Sequence, residues 1–367
     1  MGLCFPTGAG RAALSSTNAR PACAWTLADL ESVKRQGVSV MSTFACGGGS
    51  SLGYKLAGCD VIAANDIDPE MAWHYQRNLK PPSYYLCPIR DLLTANLPSE
   101  LFELDILDGS PPCSTFSMAG SREDAWGKKK HFREGQSEQV LSDLFFDYLD
   151  LVGRLRPRVA IAENVKGMIL GNARGYTKLV MERFKSLGYR PQLFLINAAD
   201  CGVPQRRERV FFCAVRDDVS DTLLELKPRH RWVSVGEACA DLGCLSDEER
   251  EQTAPAAFDL KCWHRTKPGK SYAQFVQRSE GRTSGFNTVR LDRSKPSCTI
   301  TATDCVRHWS ECRRLTFREQ KRLGSFPDDY AAKDDRIGKY MIGMSVPPRM
   351  TEAVARAVID QWLKPKE

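Results

Sequence analysis

The chain has 367 residues, 42% of them hydrophobic and 26% charged, which suffices for a full core in one large domain with a smaller second one. No run approaches the ~18 uninterrupted apolar residues of a membrane helix, and Met1 to Ala24 lack the apolar core of a signal peptide, so a cytoplasmic protein is expected. Fourteen scattered cysteines without a CxxC pair argue against a small disulfide scaffold, and a net charge of +7 favours an acidic partner.

Residues 1–37 read as a leader over about 1–24, rich in Gly, Ala, Ser, Thr and Pro, and then a short helix from Trp25 to Gln36. Val38 to Phe44 is a first strand, Ala45-Cys46-Gly47-Gly48-Gly49-Ser50-Ser51 a glycine turn, and 52–57 a helix. That layout suits a nucleotide-like ligand over a helix N-terminus, with the glycines letting the backbone come close. A second strand over 60–64 ends at Asn65-Asp66-Ile67-Asp68, where an acidic side chain can take ribose hydroxyls. The plainer alternative is that Asp66 and Asp68 cap the helix over 69–79. An apolar run over 101–107 reads as a buried strand leading into Asp108-Gly109-Ser110-Pro111-Pro112-Cys113-Ser114-Thr115-Phe116-Ser117. Two prolines make a rigid corner there. Cys113, just past it, is either a presented nucleophile or an incidental thiol in a turn.

Helices over 139–154 and 176–187 then alternate with strands over 159–162, 192–197 and 209–215. The alternation predicts an α/β fold with a parallel sheet covered on both faces and a ligand site at the strands' carboxyl ends. By that rule the glycine turn, Asp66, Cys113 and Glu163 converge on one edge. Beyond residue 216 the alternation stops. From Lys261 to Lys295 nine basic residues face two acidic ones, a surplus equal to the charge of the whole chain. Trp263, Tyr272, Phe275 and Phe286 lie among them, free to pack or to stack. Phosphate contact is the functional reading of this stretch and a solvated basic face the plainer one. Cys298, Cys305, His308 and Cys312 are close in sequence but lack zinc spacing, so no metal is expected. An amphipathic helix over 350–363 follows a Gly- and Pro-rich turn.

Taken in order over residues 38–363, these motifs resemble the DNA (cytosine-5) methyltransferase family. Phe44 to Gly49 resembles its first cofactor motif, Gly109 to Ser117 its Pro-Cys motif, and Glu163-Asn164-Val165 its Glu-Asn-Val motif. Gln205-Arg206-Arg207-Glu208-Arg209 matches a further motif; Arg314 to Asp328 resembles the one after the recognition domain, and Gly343 with Val346-Pro347-Pro348 the last. The resemblance implies a Rossmann-like S-adenosylmethionine-dependent methyltransferase fold with a smaller, irregular target-recognition domain. It implies a catalytic domain over 38–215, a recognition domain over 216–312, a connecting segment over 313–340, and a C-terminal segment over 341–367 returning to the catalytic domain.

It further implies methyl transfer from S-adenosyl-L-methionine, leaving S-adenosyl-L-homocysteine, to C5 of a cytosine flipped out of double-stranded DNA. Cys113 would attack C6, Glu163 would engage the base, and Arg207 and Arg209 would orient both; a surface ion-pair cluster with Glu208 stays open for Arg206 and Arg207. The implied cofactor site comprises Phe44, Ala45, Gly47, Gly48, Gly49, Asp66, Ile67, Ile89, Pro112, Leu144, Ser345 and Val346. Asn164 would hold the Pro112-Cys113 loop, and Met118 to Gln136 would close over DNA. Expected context is a monomer acting on a prokaryotic or phage nucleoid, with a restriction endonuclease as the one protein that could accompany it. Two positions depart from pattern: Pro88 stands where an Asp is usual, and Met344 where Asn follows Gly343, so altered cofactor binding is expected. The competing readings are a tRNA cytosine-5 methyltransferase, a non-catalytic nucleic-acid-binding relative, and a nucleotide-dependent oxidoreductase.

Overall fold

The computed structural model describes residues 21–112, 129–130, 139–140, 144–171, 173–280 and 288–364. Cys113, Phe286 and most of the 118–136 loop lie outside the described residues. The chain runs through β1 (Ser39–Thr43), α1 (Gly49–Leu56), β2 (Asp60–Asp66), α2 (Pro69–Leu79), β3 (Ser83–Leu86) and β4 (Ile106–Gly109). After a short pair, β5 (Lys129–Lys130) and β6 (Gln139–Val140), come α3 (Leu144–Leu155), β7 (Val159–Val165), α4 (Ala173–Ser186), β8 (Tyr189–Asn197) and β9 (Glu208–Arg216). Seven of these strands make one sheet in the order β3-β2-β1-β4-β7-β9-β8.

The sheet is parallel from β3 to β7, but β9 runs antiparallel to both of its neighbours. An all-parallel sheet is therefore corrected to a mixed one. The cause is the connection: β8 and β9 are joined by the short segment 198–207, which holds one 3-10 turn (Ala198–Cys201) and no α-helix, and a parallel return needs a longer crossover. Because β9 runs backwards, its first residues arrive at the edge where β1, β2, β4 and β7 end.

Strand periodicity divides the core. Along β9, Phe211, Cys213 and Val215 face a cluster containing Val40, Val61, Ile106 and Ile161, while Val210, Phe212 and Ala214 face one containing Met41, Leu107, Tyr148 and Phe184. The second cluster is closed by α3 and α4, the first by α11 (below).

Several ends differ from the sequence expectation. The stretch over 25–36 forms only a 3-10 turn, Leu27–Ser32, and Ser99–Phe102 is another, so β4 starts at Ile106. Asp105 interrupts that apolar run, and its carboxylate is used to accept from Ser39 N at 2.9 Å and to pair with Arg158 at 2.8 Å. The α2 boundaries are as expected: Pro69 opens the helix and the Asp68 carboxylate accepts from Glu70 N at 2.8 Å.

Residues 217–312 carry short elements only: α5 (Val235–Ala238), α6 (Asp247–Gln252), α7 (Ala257–Cys262), α8 (Ala273–Glu280), β10 (Val289–Arg290) and β11 (Val306–Arg307). They pack two small clusters, one around Val235, Leu291 and Ile300 that also takes in Leu315 and Leu323 from the segment that follows, and one around Trp263 and Tyr272. Then follow α9 (Phe317–Leu323), α10 (Asp335–Met344) and α11 (Pro348–Val358), which ends in a π-helical turn, Ile359–Leu363. α11 lies against α1 at Gly53, where a Cβ would stand 2.4 Å from the Pro348 carbonyl oxygen. Among the described residues no helix is long and apolar enough to cross a membrane.

Candidate active site

The glycine turn is tied to the end of β2. Asp66 accepts from Cys46 N at 2.7 Å and from Asp68 N at 2.9 Å, and Ala45 N donates to Asn65 O at 3.0 Å. Phe44 and Cys46 hold φ of 52° and 45°, left-handed values that cost a non-glycine residue roughly 1–2 kcal/mol each. Such strain persists where surrounding contacts over-determine it. The three glycines were expected to make room for a ligand. On the side where a Cβ would stand they make room for the protein itself: the Cβ would meet Met341 at Gly47, Leu79 at Gly48, and the Val346 carbonyl at Gly49. Ala45 is buried beside them.

The plainer reading, a cap, therefore holds for Asp68, while Asp66 braces the turn. A carboxylate has about four acceptor sites, and the two bonds above leave capacity for hydroxyl donors. Among the described residues the Tyr84 hydroxyl on β3 is buried without a partner, and Asp66 is the charge that acts on it most strongly. An acceptor with spare lone pairs beside an unused phenol suits the ribose of S-adenosylmethionine, with half-buried Phe44 and Ile67 as apolar walls. These residues fit the cofactor. Ile89 is buried in the core cluster on the α3 side, as is Leu144 at the start of α3. Pro88 opens the 3-10 turn Ile89–Leu93, and Asn65 Nδ2 holds the preceding carbonyls of Tyr85 and Cys87 at 2.9 and 2.8 Å. Ser345 and Val346 are buried; the Ser345 hydroxyl donates to Met341 O at 2.8 Å and lies 3.9 Å from Cys46 Sγ. Met344 is 48% exposed. Burial pushes the Cys46 thiol up to about 12, with Asp66 adding to the effect.

The second half of the site gathers on β7. Glu163 Oε1 pairs with Arg209 Nε at 2.9 Å, and Ser110, one residue past the β4–β7 pairing, stands beside Glu163 and favours its ionised form. The Asn164 amide donates to Pro111 O at 3.0 Å, so consecutive residues of β7 grip the start of the Pro-Cys corner. Pro112 is half-buried; Cys113, next in the chain, lies outside the described residues. Burial raises the proton affinity of Glu163; Arg209, Arg207 and Ser110 oppose it without cancelling it. Burial likewise lowers Arg209 despite its partner. Pairing is good, but desolvation outweighs it on both sides.

Arg207 is 4% exposed and donates to Ile300 O at 2.9 Å and Gly343 O at 3.1 Å, leaving Nε without a partner among the described residues. It does not join a surface cluster with Glu208, which pairs with Lys166 at 2.9 Å. Arg206 is exposed. Gln205 accepts from Ile300 N at 3.1 Å and donates to Leu323 O at 3.2 Å, completing a knot of 203–207 with 297–301. In the basic stretch, Trp263 and Tyr272 pack rather than face solvent, and Arg290 stacks 3.6 Å from the Trp263 ring centre. Lys267 and Lys270 are exposed.

Sequence reasoning gave no role to Ser110, Asp108 or Tyr84. Asp108 is buried, accepts from Ser42 Oγ at 2.8 Å and Tyr54 Oη at 3.0 Å, and burial pushes its carboxyl up to about 7. A charge inside an apolar strand, Ile106-Leu107-Asp108, was the available signal.

A model of the family described as C-5 cytosine-specific DNA methylase matches residues 38–360. The Type II methyltransferase M.FnuDI of Fusobacterium nucleatum is 27% identical over 88% of this chain and 94% of its own. M1.HphI of Haemophilus parahaemolyticus, also a Type II methyltransferase, is 28% identical over 88% and 87%. The fold is similar to that of a prophage-encoded E. coli protein, with a TM-score of 0.67 at 19% identity over 89% of this chain and 99% of that one. It is also similar to DNMT2 of Spodoptera frugiperda, with a TM-score of 0.61 at 16% identity over 88% and 100%.

Proposed function

The chain belongs to the C-5 cytosine-specific DNA methylase family and is a DNA cytosine-5 methyltransferase, and we propose that it works through a Cys113 adduct on a base rotated out of duplex DNA. The observation that carries this reading is the buried Glu163 carboxyl, paired with Arg209 and flanked by Ser110 at the corner that leads to Cys113. Cytosine C5 is too weak a nucleophile unaided. A thiolate bonding to C6 pushes an electron pair toward C5 and N3, and the thiolate leaves again once the C5 proton is lost. Glu163, with a raised proton affinity, supplies the proton that neutralises N3 as C6 is attacked. Arg209 fixes the carboxyl's direction; Arg207, bonded to backbone carbonyls, positions the segment around Ile300 rather than touching the base.

S-adenosyl-L-methionine, held by Asp66, Tyr84 and the glycine turn, supplies an electrophilic methyl group. Rotation of the base costs a few kcal/mol, which phosphate contacts from the exposed lysines offset. By the same reading the enzyme acts as a monomer on double-stranded DNA in the cytoplasm, as the modification partner of a restriction endonuclease; the Type II designation of its relatives supports that context. The test is incubation of the full chain with methyl-labelled cofactor and mixed-sequence duplex DNA. Transfer that disappears in Cys113→Ala is expected. Transfer to tRNA alone, or transfer undiminished in Cys113→Ala, defeats the proposal.

A further inference from the structure

We propose that Ser110 is a positioning residue whose hydroxyl keeps the Glu163 carboxyl attached to the nucleophile's corner in both protonation states. The inference rests on the proposed role of Glu163 and goes beyond it to a residue outside the expected site. Strand register provides the geometry. β4 and β7 are parallel, with Gly109 opposite Ala162, so one step further Ser110 stands opposite Glu163. The next residue, Pro111, is held by Asn164 at 3.0 Å, which fixes Ser110 from its C-terminal side. On the other flank Arg209 Nε reaches Glu163 Oε1 at 2.9 Å.

The two partners of Glu163 differ in chemistry. A guanidinium only donates, so it favours the ionised carboxylate. A hydroxyl donates to a carboxylate but, after rotating, accepts from a protonated carboxyl. Ser110 is thus the contact that survives when Glu163 gains its proton and when it gives the proton up. Between turnovers it stabilises the ionised form, as hydrogen bonds to a charged group do. Among the described residues the other charged groups facing Glu163 are Asp108 on β4, and Arg207 and Arg209 from the β9 side. Lys166 at the end of β7 is engaged by Glu208.

The test compares full-length wild type, Ser110→Ala and Ser110→Thr. The Glu163 carboxyl is titrated by carbon NMR on protein labelled at glutamate side-chain carboxyls, with Glu163→Gln identifying the signal. Single-turnover methyl transfer at saturating DNA and cofactor is followed over the same pH range. In Ser110→Ala the Glu163 titration and the matching limb of the rate profile are expected to move up by about one pH unit, a tenfold change in proton affinity. Duplex affinity should stay within about twofold, and Ser110→Thr should restore both titration and profile. Should the alanine variant fail to fold, Ser110→Cys, a weak donor, is expected to shift the titration in the same direction by a smaller amount. A Glu163 titration unchanged in the folded alanine or cysteine variant overturns the proposal, and this needs no substrate. Absence of methyl transfer in every form, with the titration still shifted, would count against the reading of Glu163 instead.

Discussion

Asp108 carries the clearest pH consequence of any single side chain described. Among the described residues its carboxylate accepts from the Ser42 and Tyr54 hydroxyls, and burial lifts its carboxyl from 3.8 to about 7. A carboxyl raised in the folded state stabilises the fold fully only below its unfolded value, and that contribution is lost as pH rises through the folded one. Urea denaturation of the wild type is therefore expected to show stability falling by a few kcal/mol between pH ~4 and ~7 from this group, and Asp108→Asn should flatten that decline. Parallel pH profiles for the two proteins would contradict the assignment. Met344 makes a second prediction. It is half exposed at the end of α10, next to the Gly343 carbonyl that Arg207 holds. Replacing its thioether by an amide adds donor and acceptor capacity at the edge of the cofactor site. Isothermal titration with S-adenosyl-L-homocysteine is expected to give several-fold tighter binding for Met344→Asn, and unchanged affinity would show that the departure is silent.

At the scale of elements, the junction of α1 and α11 decides how the C-terminal segment returns to the sheet. Gly53 has no spare space: a Cβ there would stand 2.4 Å from Pro348 O and 2.8 Å from Glu352 N. Alanine is the better helix former by about 1 kcal/mol, but both obstacles are backbone and cannot rotate away. Gly53→Ala is accordingly expected to lose about 2 kcal/mol in chemical denaturation; a gain would mean that the helices can separate without cost. Elements were legible where local chemistry agreed with burial. Pro69 with Asp68 marked the start of α2, and the unbroken apolar run of β9 marked a buried strand. Strand direction was not legible, because it depends on whether a connection is long enough to cross the sheet. The filling of the glycine spaces by Met341, Leu79 and Val346 was hidden for a related reason: residues remote in sequence supply the contacts. The partners of Glu163 were half visible. Arg209 stood in a motif, whereas Ser110 gained its place only from the β4–β7 register.

For the whole molecule, charge is separated from chemistry. The sheet's edge holds its ionisable groups buried and paired, while the surplus of positive charge lies in the 261–295 stretch. Part of that surplus is structural: Arg290 donates to the carbonyls of Trp309, Thr266 and Trp263. Lys267 and Lys270 remain on the surface. If they meet phosphates, the Lys267→Ala, Lys270→Ala double variant should bind duplex DNA more weakly at low salt and lower the slope of log K against log salt by about 1 per lysine. An unchanged slope would place the DNA elsewhere.

The reversed course of β9 sets a rule of parity. Glu163 lies opposite Phe211 and Val165 opposite Arg209, so Arg209 shares a face with Glu163 only because it stands two positions, an even step, from Phe211. Losing or gaining one residue between 209 and 211 would send the guanidinium through to the other side of the sheet, whatever side chain followed it. A change of two would keep the side and merely slide the contact. One residue inserted beside Val210 is therefore expected to break the Glu163–Arg209 pair.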